Sequence, residues 1–214
     1  MLDLLAVCAS VFFLIQAAEF LFKKKYIGPE ISRKMIHMGT GVIVAFTPYV
    51  LSWGEIQLLS LAFLLVIIVS AKFRIFSSIH SVKRFTKGEF LYALGIGICG
   101  FIQPADWVFV AAILHLAIAD ALAAVVGVKW GKHTRYSILS HGKSMLGSLV
   151  FFYTSMMILL GAYIFVEPQN LPNIFVLLLV IPAVLTVLEN ISWFGSDNVT
   201  IPVATILLLS VNYF

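Results

Sequence analysis

A single carboxylate, Asp120, interrupts the apolar run Leu116-Ala117-Ile118-Ala119-Asp120-Ala121-Leu122-Ala123-Ala124-Val125-Val126-Gly127. It stands about eight residues, or roughly 12 Å of helix rise, from the end of its apolar stretch. An ionised side chain at such depth in a bilayer costs about 2.5 kcal/mol or more unless it is paired or hydrated. Ala117, Ala124 and Gly127 share its helical face, which lets neighbouring backbones approach closely. Two roles fit: a buried tie between helices, or a cation site.

Three further segments carry complementary groups. Gly127-Val128-Lys129-Trp130-Gly131-Lys132 is followed by Ser140-His141-Gly142-Lys143-Ser144-Met145-Leu146-Gly147-Ser148 at the head of the next apolar run. Glycines beside lysines and hydroxyls at a helix start suit phosphate, which uses exposed backbone donors, the helix dipole and point charges. Gly142-Lys143-Ser144 is nevertheless not a P-loop, because Ser137 stands where that motif needs its first glycine and no strand is expected ahead of it.

The segment Leu188 to Pro202 brings Glu189, Asn190, Asp197 and Asn198 together in sequence. Hard oxygen donors of this kind suit magnesium, which keeps water and substrate phosphates in its shell. The simpler alternative is that Asp197 or Asn198 caps the following helix. Asn198-Val199-Thr200 matches a glycosylation sequon by chance at a membrane edge. At the other end of the chain, Arg33 and His37 lie four apart on one helix face with Lys34 adjacent, a set able to clamp phosphate or exchange a proton. Glu19 with Lys23 reads as an interfacial pair and His115 as a hydrogen-bonded helix contact, so neither joins the site.

The elements that position these groups must be transmembrane helices. Of 214 residues, 61% are hydrophobic and 11% charged, and the mean hydropathy is +1.04. That composition belongs in lipid. The apolar runs are continuous rather than alternating, which excludes a β-barrel and predicts an all-α polytopic bundle. The expected spans are 3–22, 35–52, 56–71, 90–104, 107–128, 145–166, 172–190 and 199–213, eight in all, or seven if the fourth or eighth is re-entrant. Cys8 and Cys99 sit inside apolar runs and act as small hydrophobes. No nucleic-acid module, low-complexity tract or internal repeat is present, and the missing repeat weakens an ion-coupled transporter as the alternative.

The basic residues support this count. Lys23, Lys24, Lys25, Arg33 and Lys34 follow the first span, Lys72, Arg74, Lys83, Arg84 and Lys87 the third, and Lys129, Lys132, Arg135 and Lys143 the fifth. These are all fourteen, and the intervening connections hold none. Both termini are therefore expected outside and the basic loops in the cytoplasm. The stretch 72–87, with Phe73, Phe76, Ile79 and Val82 at helical spacing, reads as an interfacial helix. Met1 to Leu5 lacks a basic n-region, so the first span is expected to be retained, and the short chain favours a prokaryotic plasma membrane.

Taken in order, Arg33-Lys34-Met35-Ile36-His37, Ala119-Asp120-Ala121-Leu122-Ala123 through Gly131-Lys132, Lys143-Ser144 with Gly147-Ser148, and Glu189-Asn190 with Asp197-Asn198-Val199-Thr200-Ile201-Pro202 resemble the polyprenol kinase family of dolichol, phytol, farnesol and CTP-dependent diacylglycerol kinases. The similarity runs from about residue 30 to the C-terminus, with 1–29 as an additional span and basic loop on a single 1–214 membrane domain. One departure is Leu146, where the family often has Glu.

The resemblance implies phosphoryl transfer from a nucleoside triphosphate, commonly CTP, to a membrane lipid alcohol. It implies magnesium held by Asp120 and Asp197, with Glu189, and Lys143 and His37 in catalytic roles. Arg33, Lys34, Lys132, Gly131, Gly142, Ser144, Gly147 and Asn198 are then the nucleotide contacts. Besides lipid and nucleotide, a second copy of the chain is the remaining candidate partner. The nearest alternative is a cytidylyltransferase acting on a lipid phosphate.

Overall fold

The computed structural model describes residues 2–73, 87–138, 141–166 and 173–211. Among these, eight apolar helical segments follow one another. They are α1 (Leu2–Lys23), α2 (Pro29–Ala45), α3 (Trp53–Phe73), α4 (Lys87–Ile102), then α5 (Asp106–Leu114) running through a π-turn at His115–Ala119 into α6 (Asp120–Lys129). After a 3-10 turn at Gly131–Thr134 comes an antiparallel hairpin of β1 (Arg135–Ile138) and β2 (His141–Ser144). The chain continues as α7 (Met145–Phe165), a π-turn at Val176–Val180 leading into α8 (Ile181–Ile191), and α9 (Asp197–Ser210).

Leu2–Lys23, Asp106–Lys129 and Met145–Phe165 are long and apolar enough to cross a membrane, and Trp53–Val69, Phe90–Ile102, Val176–Ile191 and Asp197–Ser210 are shorter apolar helices. The protein is thus a helical membrane protein. The all-α expectation holds, and one short hairpin is added to it, supplying a strand immediately ahead of α7. Most of the expected interfacial helix at 72–87 lies outside the described residues.

Local chemistry sets the helix ends. α1 stops where Lys25 takes φ 61°, with Tyr26 N–H donating to Leu21 O and Lys25 N–H to Phe22 O, a Schellman closure around a non-glycine residue. α2 opens on Pro29, whose missing N–H is harmless in a first turn. α3 opens on a capping box, in which Ser52 N–H and Oγ both meet Glu55 Oε2 at 2.9 Å.

The central rod is Asp106–Lys129, against which α2, α7 and α9 pack. Phe109, Ile113 and Leu116 on it are fully buried. Close crossings are made by glycines. An added Cβ at Gly41 would lie 2.2 Å from the Ala117 Cβ, and one at Gly97 would lie 2.6 Å from Ser60 Oγ. Ser60 itself donates to Ala93 O at 2.7 Å, binding α3 to α4. Gly95 meets α9 instead: its Cβ would lie 2.1 Å from Asn198 O. That carbonyl is left without a helical donor because Pro202, four residues on, has no N–H. Gly95 and Gly97 of α4 therefore serve close helix packing.

Candidate functional site

Polar ends of several helices converge on one cavity of about 1380 Å³. The start of α2 supplies Arg33, Lys34 and His37, the start of α6 supplies Asp120, and the hairpin supplies Arg135, Gly142, Lys143 and Ser144. The end of α8 adds Glu189, and the start of α9 adds Asp197 and Asn198. Four permanent cations thus face three carboxylates across one space.

The π-turn at His115–Ala119 explains how Asp120 is held. Asp120 N–H bonds to His115 O, five residues back, rather than to Leu116 O. The Leu116 carbonyl is left to receive His37 Nε2 at 3.2 Å, in the tautomer that carries its proton there. The same nitrogen lies 4.0 Å from Asp120 Oδ2, and Lys34 Nζ lies 3.7 Å from that oxygen. Tyr92 completes the setting: its ring sits 4.3 Å from the His37 ring, and its hydroxyl donates to His37 O at 3.1 Å. A half-buried carboxylate, a lysine and an imidazole from α2 and α6 thus form one cluster.

Lys143 makes the second pairing, donating to Glu189 Oε1 and to Glu189 O at 2.8 Å. Beside it, the hydroxyls of Tyr136 and Ser148 and Asn190 Oδ1 lie within 2.6 to 2.8 Å of one another, joining the hairpin to α7 and α8. Tyr136 is the cross-strand neighbour of Lys143, so this network also fixes the lysine's strand.

The third wall is strained. Phe194 and Gly195 take φ 51° and 85° in succession, and a Cβ at Gly195 would lie 2.8 Å from Gly88 Cα. The double left-handed step turns the chain between α8 and α9, placing Asp197 at the head of a new helix. Asp197 Oδ1 accepts from Asn198 N at 3.0 Å, while Asn198 Nδ2 donates to Gly195 O at 3.1 Å.

Not every nominated group reaches the cavity. Gly131 and Lys132 do not line it. Gly131 packs on Ser144 together with the lining residues Gly127 and Gly147, an added Cβ at each falling 2.4, 2.8 and 2.9 Å from Ser144 Oγ. Ser144 caps α7 by accepting from Gly147 N–H at 3.0 Å, so that donor is already engaged. Gly142 has open space about it. Leu146 is not a lining residue. Arg135, Tyr136 and Tyr92 carry no spacing signal that marks them beforehand.

The three carboxylates reach the same cavity without closing on one point: among the described residues, no group of three or more His, Cys, Asp or Glu side chains is placed to hold a metal. Magnesium does not need such a cage, since it keeps several waters and takes one or two carboxylates plus substrate phosphates. Asp120 and Asp197 fit that donor set, and Asn198 Oδ1, buried without a hydrogen-bond partner among the described residues, adds a hard oxygen. Glu189 is instead committed to Lys143.

No protein-family profile matches the chain, and no solved structure matches it. A phytol kinase of Synechocystis sp. (strain ATCC 27184 / PCC 6803 / Kazusa) is 30% identical over 204 residues, covering 91% of this chain and 84% of that protein. At that identity and coverage, the chain belongs to the polyprenol kinase family.

Proposed function

We propose that this protein is a multi-pass lipid-alcohol kinase, transferring the terminal phosphate of a nucleoside triphosphate, CTP by preference, to a prenol such as phytol. What supports this most is the gathering of four cations and three carboxylates, drawn from segments distant in sequence, around one cavity. The phytol kinase relative supports the acceptor class. The whole chain forms one membrane unit, with the basic helix ends and the cavity at the cytoplasmic face of a plasma membrane.

Phosphoryl transfer asks a protein mainly for positioning and charge stabilisation. Lys143, Lys34, Arg33 and Arg135 supply positive charge toward phosphate oxygens, Lys143 steadied by Glu189. Asp120 and Asp197 would hold magnesium, which when bound neutralises triphosphate charge. The substrate hydroxyl oxygen attacks the γ-phosphorus, the bond to the β-bridging oxygen breaks, and the nucleoside diphosphate leaves. Its proton passes to a base beside it. With Nε2–H turned to Leu116 O, His37 keeps its lone pair on Nδ1, and the Asp120 carboxylate is the other acceptor.

The test is purified protein with γ-labelled CTP or ATP and a panel of prenols and diacylglycerol. Label in a prenol, with CTP the better donor, is expected. Label in no alcohol would remove the reading.

A further inference from the structure

Resting on the kinase reading, we infer that the hydrocarbon chain of the alcohol occupies a slot between α2 and α3, walled by Ile36, Thr40, Phe63 and Ile67, with the hydroxyl end at His37 and Asp120. All six residues line the cavity.

On α2 the lining residues Arg33, Ile36, His37 and Thr40 are spaced as one helical face. Polarity falls along it over roughly 10 Å of rise. Arg33 sits near the helix start, His37 one turn further on, and Thr40 beyond that. The Thr40 hydroxyl donates to the carbonyl oxygens of Ile36 at 2.6 Å and His37 at 3.2 Å, so its polar group is engaged within α2. Opposite, α3 contributes Phe63 and Ile67, four apart and on one face, with no polar side chain. A wall charged at one end and apolar over the following turns fits a molecule with a single polar end.

The slot also adjoins exposed apolar surface. α3 packs along α4, whereas α2 packs along α1 and α5, so α2 and α3 scarcely touch. Phe63 spans the gap instead, resting on Ile15, Ala18 and Ile36 where α1 meets α2. Outward from it α3 exposes Leu61, Leu65 and Ile68. An apolar chain moving from lipid into such a slot gains no hydrophobic free energy, because lipid tails are equally apolar. Shape must then select the chain, and Phe63 and Ile67 are the side chains that set that shape.

The experiment uses wild-type protein in nanodiscs with a long-chain prenol carrying a photoreactive diazirine on its tail, and maps adducts by mass spectrometry. Adducts on Ile36, Phe63 or Ile67 are expected, competed by unmodified prenol. In parallel, Ile67→Trp should lower the ratio of kcat/KM for a long-chain over a short-chain prenol about tenfold while leaving the apparent KM for nucleotide in place. Adducts confined to other helices, or an unchanged ratio, overturns the slot. Prenol phosphorylation with adducts elsewhere removes the slot alone, whereas adducts in the slot with no lipid phosphorylated removes the kinase reading alone.

Discussion

Lys143 Nζ lies 2.5 Å from Glu189 Oε1, so a hairpin lysine is clasped by the last turn of α8. Both side chains are largely withdrawn from solvent, at 20% and 8% exposure. Removing one member of such a pair strands the other charge, at roughly 3–5 kcal/mol. Lys143→Met should therefore lower the thermal melting point in detergent, and Lys143→Met with Glu189→Leu should restore most of it while leaving the enzyme inactive. A double variant that melts as low as the single one would show that the pair does not hold the hairpin.

The glycines separate packing from ligand contact. Gly131→Ala must push Ser144 aside, its Cβ falling 2.7 Å from the Ser144 Cβ, and should cost about 1–3 kcal/mol of stability. Gly142→Ala meets nothing within 4 Å and should melt within about 0.5 kcal/mol of wild type, so any rise in its nucleotide KM reports contact with ligand. Equal melting losses for both would contradict the crowding around Ser144.

Asp120→Asn keeps the shape of the side chain while removing the charge that faces Lys34 and His37. Turnover should fall by about a hundredfold or more, with the protein still purifying as a single species. Asp197→Asn should behave alike. Near-normal activity in both would take these carboxylates out of the chemistry.

Sidedness is open to labelling. After Cys8 and Cys99 are replaced, a cysteine at Lys132 should react only with reagent admitted to the cytoplasmic side, and one at Asp106 only from outside. The opposite pattern would invert the protein in the membrane.

Much of this architecture is legible in the chain because lipid leaves the backbone few choices. Continuous apolar runs mark the other helical segments to within a few residues, whereas α2 runs Pro29–Ala45 against an expected 35–52. The cavity's charged residues are legible for the same reason, as Asp120, Arg33, Lys34 and Glu189 are expensive where they stand and so draw notice. What escapes is geometry without a compositional mark. The four-residue strands around Lys143 have no alternating pattern long enough to read, so Arg135 reads only as a loop cation and Tyr136 passes unremarked. The π-turn that frees Leu116 O for His37 occurs in an ordinary apolar sequence. Gly131 lies off the cavity while Gly147 lines it, because small residues signal a phosphate cradle and a close helix crossing alike.

The central claim is that the cavity moves a terminal phosphate onto an alcohol, and isotopes placed on different phosphates test it most directly. Purified protein supplied with magnesium, a prenol and CTP labelled at either the α or the γ position should yield labelled lipid only from the γ label, together with cytidine diphosphate. Lipid labelled from the α position, with pyrophosphate released, would contradict the account and make the protein a cytidylyltransferase.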